Sequence, residues 1–137
     1  MRGFTSLINE VVLNYSEKVQ FRFVYIAEAH AMDEWPVSSG RFTKTGKPVL
    51  VNQPKTLQDR CLLAEDFTRE YNFHLETFVD LPEAGDPFEK AYAPWPLRFF
   101  LIGPDNCLAF VSEPIEGSSD AAFTRLLQML EPFRIKL

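Results

Sequence analysis

The run Phe21-Arg22-Phe23-Val24-Tyr25-Ile26 can settle in few places in a folded chain. Its aromatic and β-branched side chains read as a largely buried strand. Just ahead of it, Phe4, Leu7, Ile8, Val11, Val12 and Tyr15 recur at three- and four-residue steps. That spacing predicts an amphipathic helix over 3–16, ended by Ser16-Glu17-Lys18. A helix feeding a buried parallel strand is the second half of a strand–helix–strand unit. The first strand of such a unit does not precede the helix in this sequence, because Met1 stands almost inside it.

Beyond this pair the chain alternates helical and extended patterns. Thr56 reads as an N-cap with Asp59 at the third helical position, a capping box. The helix that follows carries Leu57, Cys61, Ala64, Phe67 and Tyr71 on its predicted inner face, and Asn72 stops it. Leu75–Val79 is a short strand. Asp86-Pro87 predicts another helix start, with a capping carboxylate, proline at the first position and Glu89 completing the box. Leu97–Ile102 is the second strongly apolar strand, and Gly103-Pro104-Asp105-Asn106 turns it into a hairpin with Cys107–Val111. Phe123, Leu126, Leu127 and Leu130 mark a final helix that Pro132 closes. Val37–Lys47 is a long polar loop, of the kind that is usually functional or mobile, and Pro48–Val51 is a short extended piece. Glu113–Ser118 is loop.

The order, with a strand missing in front, is helix–strand–helix–strand–helix–strand–strand–helix. The expectation is a single α/β domain over 1–137, a thioredoxin-like three-layer α/β/α sandwich lacking its first central strand. In such a sheet that strand would lie between Phe21–Ile26 and Leu97–Ile102. Without it, the two neighbours must pair directly or leave open ladder edges.

Composition narrows the function classes. The 137 residues are 46% hydrophobic and include 13 Phe, enough for one aromatic-rich core. A formal net charge of -5 argues against a nucleic-acid partner, whose phosphates demand basic residues. No apolar run approaches the roughly 20 residues that span a bilayer, and no signal-peptide order opens the chain. The expectation is a soluble, cytoplasmic protein without a membrane partner. Cys61 and Cys107 form neither a disulfide framework nor a metal set, and both read as buried structural thiols. His74 reads as a partly buried boundary residue. With two histidines and no ligand-spaced set, no metal site is expected.

Chemistry concentrates just after the first strand, where Glu28, His30, Asp33, Glu34 and Trp35 precede Pro36. Carboxyl ends of strands are where open α/β sheets present sites. On an extended backbone Glu28 and His30 would share a face. An imidazole near neutrality, oriented by a carboxylate, can donate or relay a proton. The plainer alternative is a strand end with solvated polar residues. Trp35 could stack on an aromatic ligand or lie as a lid over the core. Arg98 could grip a carboxylate through paired bonds, or be an exposed strand arginine.

Several of these segments together resemble the iodothyronine deiodinase family, including its microbial relatives. Phe23-Val24-Tyr25-Ile26-Ala27-Glu28-Ala29-His30 with Asp33 and Trp35 resembles the family's strand and its acidic, histidine-bearing tail. Asn52-Gln53-Pro54-Lys55-Thr56-Leu57-Gln58-Asp59-Arg60 resembles the opening of its next helix. Val79-Asp80, Tyr92, and Trp95-Pro96 followed by Arg98 resemble the run into its third strand. The match spans roughly Phe4 to Ile102. It implies a thioredoxin-like oxidoreductase carrying out reductive dehalogenation or related selenol or thiol chemistry.

The resemblance implies Glu28 and His30 as catalytic groups, with Trp35, Arg98 and Pro96 at the substrate. Pro96 matches a proline that is commonly cis. A thiol reductant serves as electron donor, no separate cofactor is needed, the substrate is a small aromatic or halogenated molecule, and a homodimer is compatible. The family nucleophile, a selenocysteine or cysteine, sits at the N-terminus of the first helix, where dipole and free amides favour the anion. It is expected upstream of Met1, hidden by a UGA codon read as a stop, so the chain as given would be inactive. A non-catalytic thioredoxin-like binding module and a peroxide- or disulfide-reducing redoxin are the alternatives. Departures are Glu34 in place of glycine, Pro54 in place of histidine, Leu81–Pro87, and a reduced loop at Pro114–Gly117. They bear on the substrate more than on the fold.

Overall fold

The computed structural model describes residues 4–37, 42, 46–115 and 121–134. The expected loop over 37–47 and that over 113–118 therefore lie in part outside the described residues. The chain is α/β. Helix α1 (Thr5–Tyr15) leads to strand β1 (Arg22–Tyr25), α2 (Leu57–Glu70) and β2 (Glu76–Val79). A 3-10 turn (Pro82–Ala84), α3 (Pro87–Tyr92), β3 (Phe100–Ile102), β4 (Leu108–Val111) and α4 (Ala121–Leu130) complete the order, with a second 3-10 turn at Glu131–Phe133.

The strands form two separate pairs. β1 runs parallel to β2 with Phe23 opposite Thr77 and Tyr25 opposite Val79. β3 and β4 form the expected antiparallel hairpin, with a register shift between Leu101 and Ile102. β1 and β3 do not pair, so each has one partner among the described strands. Both expected strands are shorter than the apolar runs suggest, because Ile26 and residues 97–99 lie outside the ladders.

One core nevertheless joins the two sheets. Ile8, Val11 and Tyr15 of α1, Ala64 and Phe67 of α2, and Phe123, Leu126 and Leu130 of α4 are buried together. Phe23, Val79, Leu101 and Phe110, one or more from each strand, pack against them. Helix α1 bridges the pairs. The ring of Phe4, just ahead of it, stacks on Phe123, whose other neighbour is Phe99 before β3. Its Asn9 donates to the Asn72 carbonyl and accepts from the His74 amide, ahead of β2.

Phe67 is the centre of the aromatic packing, touching Phe23, Tyr25, Tyr71 and Phe73 at centroid distances of 5.1–6.0 Å. The opposite sheet face is thinly covered. α3 lays Phe88 and Tyr92 against Phe100, whereas Phe78 remains 40% exposed and Ile102 59%.

Several local expectations are corrected. The inner stripe of α2 is Arg60, Ala64 and Phe67, continued by Tyr71, while Leu57 is exposed and Cys61 half-buried. Cys107 is exposed, so neither thiol is buried. His74 is exposed rather than at a buried boundary. Thr56 does cap α2, its hydroxyl accepting the Asp59 amide at 3.1 Å. Asp86 does not cap α3 with its side chain. Its backbone is left-handed, at φ 56°, and its carboxylate is drawn to Arg60 instead. Asp80 does the capping, from the end of β2.

Candidate functional site

β1 ends at Tyr25, where the tyrosine hydroxyl donates to the Glu28 carboxylate. The chain then leaves the ladder, so Glu28 and His30 do not share an extended face. His30 instead adopts a left-handed backbone at φ 64°, which an imidazole side chain tolerates better than a β-branched one. The amides of Glu34 and Trp35 both donate to the Ala31 carbonyl, closing a helical turn beside it.

That turn is clamped from residues 51–53. The Met32 amide donates to the Val51 carbonyl at 2.9 Å. The Gln53 carboxamide accepts from the Glu28 amide at 2.8 Å and donates to the Glu28 carbonyl at 3.1 Å. The same Nε2 donates to the Glu34 carboxylate at 3.0 Å, and the Gln53 backbone amide donates to Asp33 at 2.8 Å.

His30 and Trp35 are brought together at a ring-centroid distance of 4.9 Å. His30 Nδ1 lies 3.2 Å from the Trp35 carbonyl oxygen. A carbonyl can only accept, so in its neutral form the ring carries its proton on Nδ1, and Nε2 is its acceptor. Trp35 then stacks on Trp95, 6.1 Å away and 21° from parallel. Trp35 is 62% exposed, which rules out a lid over the core. The Trp95–Pro96 bond is cis, as the resemblance implies. The structure thus joins His30, Trp35 and the residue beside Pro96 in one aromatic ladder.

Glu28 is held by the Tyr25 hydroxyl at its carboxylate and by the Gln53 carboxamide at its backbone. Arg98 precedes β3 and is half-buried. Its Nε is enclosed without a hydrogen-bond partner among the described residues.

A second polar cluster adjoins the turn. An open cleft of about 390 Å³ lies between Ala27, Glu34, Gln53, Lys55, Arg60 and Glu89. Arg60 is only 1% exposed and donates through Nη1 to the Asp80 carbonyl at 3.0 Å and to the Asp86 carboxylate. The Asp80 carboxylate accepts three amides, from Leu81, Phe88 and Glu89, at 2.9–3.0 Å. Glu89 holds its proton above the ordinary carboxyl range, first because burial penalises the charge, then because Asp86 and Asp80 stand near; Arg60 opposes the shift.

Residue patterns did not single out Gln53, Arg60 or Asp80 as functional groups. Arg60 had a readable signal: positions 60, 64, 67 and 71 make a better helical stripe than 57, 61, 64 and 67. An arginine on an inward stripe demands buried oxygen partners. Among the described residues, no group of three or more His, Cys, Asp or Glu could hold a metal ion, and no helix is long and apolar enough to cross a membrane. No protein-family model matches the chain, and no curated protein does.

Proposed function

We propose that this chain supplies the substrate-binding and proton-handling side of a deiodinase-like, thioredoxin-fold oxidoreductase. The His30–Trp35–Trp95 ladder carries the reading. An exposed indole stacked on a second one receives a planar aromatic ring, and the imidazole at its end offers Nε2 at the edge of that ring. The two strand pairs share one core, and each strand has one partner among the described strands, which supports a sheet completed by a further strand between β1 and β3. The selenol or thiol nucleophile is proposed to arrive on that strand.

In the proposed reaction the selenolate or thiolate takes the halogen from the aryl carbon, whose electron pair accepts a proton relayed through protonated His30. One reductant thiol then displaces halide from the nucleophile, and a second releases the resulting mixed bond as a disulfide. Glu28, bonded to Tyr25, and Arg98 are assigned to the turn and to an acidic substituent of the substrate, respectively.

The ladder also favours a second reading, a binding module that holds an aromatic ligand without turnover. Two experiments separate them. In the chain itself, an iodinated phenol should quench indole fluorescence by the heavy-atom effect, and Trp35→Ala should abolish most of that quenching; undiminished quenching refutes the ladder as the binding surface. In protein extended by its preceding strand, with cysteine at the nucleophile position, iodide release with a thiol reductant should fall about a hundredfold in His30→Ala. Binding without iodide release selects the module, and peroxide reduction with iodophenol untouched selects a redoxin.

A further inference from the structure

We infer that Gln53 is the positioning residue of the His30 turn, its carboxamide acting as a surrogate strand that fixes both ends of residues 28–34. A strand residue normally has its amide and carbonyl satisfied by a neighbouring strand. Glu28 lies beyond the end of β1, outside both described ladders. The Gln53 side chain supplies both halves, an acceptor at 2.8 Å for the Glu28 amide and a donor at 3.1 Å for its carbonyl. Its second Nε2 hydrogen reaches the Glu34 carboxylate at the other end of the segment.

His30 stands between these anchors in a left-handed conformation that is unfavourable for any residue with a side chain. Such a conformation persists only where its flanks are held. Only a primary amide offers one acceptor and two donors in a plane, so no other side chain of this length can replace it fully. The turn's geometry is independent of the redox reading. Its catalytic consequence rests on that reading.

The test uses the intact 137-residue chain and two NMR reporters, the His30 ring Cε1–H and the Trp35 indole N–H. In Gln53→Met, which keeps length and removes every side-chain bond, both signals should shift or broaden while those of Phe67 and Phe73 stay in place. A folded variant with both reporters unmoved overturns the inference.

Gln53→Glu gives a conservative rescue. A protonated carboxyl still offers one acceptor and one donor, whereas the ionised form only accepts. The Trp35 signal should therefore lie nearer wild type in acid, where the pair of bonds to Glu28 is kept and only the Glu34 anchor is lost, and depart further as the new carboxyl ionises. Around it stand Glu28, Asp33 and Glu34 of the turn, and across the cleft Lys55, Arg60, Asp86 and Glu89. The same groups surround residue 53 in wild type, so the informative quantity is the difference between the two proteins, and coincidence at every pH overturns the inference. Should Gln53→Met fail to fold, Glu34→Ala removes only the far anchor and should displace Trp35 while leaving the Glu28 amide signal in place; an unmoved Trp35 again overturns it. In the extended protein, His30 moved by Gln53→Met while the form with Gln53 intact releases no iodide leaves the positioning role standing and removes the redox reading. Iodide release by the form with Gln53 intact, with His30 unmoved in Gln53→Met, does the reverse.

Discussion

Replacing Asp80 should cost more than replacing any other single carboxylate in the described structure. Its side chain is 3% exposed and accepts amides from Leu81, Phe88 and Glu89, the last two belonging to the first turn of α3. Those first-turn amides have no partner within a helix, so the carboxylate meets both their hydrogen-bonding need and the positive end of the helix. In Asp80→Ala all three donors lose their acceptor. Loss of a cap costs about 1–2 kcal/mol, and each buried donor left unpaired about 1–3 kcal/mol.

Some relaxation towards water is inevitable for a helix this short, so the sum is not additive, and a loss of about 3–5 kcal/mol is expected. Set against a typical stability of about 5–15 kcal/mol, that is a large share. It corresponds to a fall in Tm of roughly 10–20 °C. Asp80→Asn keeps one acceptor oxygen and should lose about half as much. The Arg60 bond goes to the Asp80 carbonyl, so both variants keep it and the difference reports on the cap alone. Urea unfolding followed by circular dichroism measures the effect. Asp80→Ala within about 1 kcal/mol of wild type, at unchanged m, would refute the capping assignment.

Glu89→Gln should stabilise the protein at neutral pH. The folded state raises this carboxyl's pKa by burial and by the neighbouring Asp86 and Asp80, so it binds the proton more tightly than the unfolded chain. That contribution is whole below the ordinary carboxyl pKa of about 4.3 and is lost as pH rises through the folded value. The variant's Tm should therefore exceed that of wild type near pH 7 and converge with it in acid; a lower Tm near pH 7 contradicts the sign. Phe67→Ala should lose about 3–5 kcal/mol in the same urea assay, since Phe67 is 3% exposed and meets four rings. A loss below about 1 kcal/mol would remove it from the centre of the core.

What could be read from residues alone followed from periodicity and local chemistry. The helix at Thr5–Tyr15, the Thr56 cap and the hairpin about Gly103–Asn106 each rest on contacts within a few positions. Such contacts leave their signature in the sequence itself. Expectations failed where a distant group took over a local role. Asp86 has the residue type and the following proline of a cap, yet Arg60, placed inside by the stripe of α2, attracts its carboxylate, and Asp80 caps α3 from six residues before Asp86.

The turn after β1 illustrates the same rule at the candidate site. Glu28 and His30 were expected to cooperate because alternate residues share a face of a strand, but that holds only while a ladder keeps the backbone extended. The ladder stops at Tyr25, whose carbonyl accepts the Asp80 amide at 2.9 Å, while the Asp80 carbonyl is turned to Arg60. Gln53 then sets the geometry from 25 positions away, and no local pattern marks it. Residue types nominated the imidazole and the indole separately, and the turn in which the Trp35 amide reaches the Ala31 carbonyl brings the two rings together. They could not supply Trp95, which completes the platform from the far side of α3. The site is therefore assembled by two side chains, Gln53 and Trp95, whose importance comes from where the fold delivers them. Changing either while leaving His30 and Glu28 intact is the sharper probe of what this surface does.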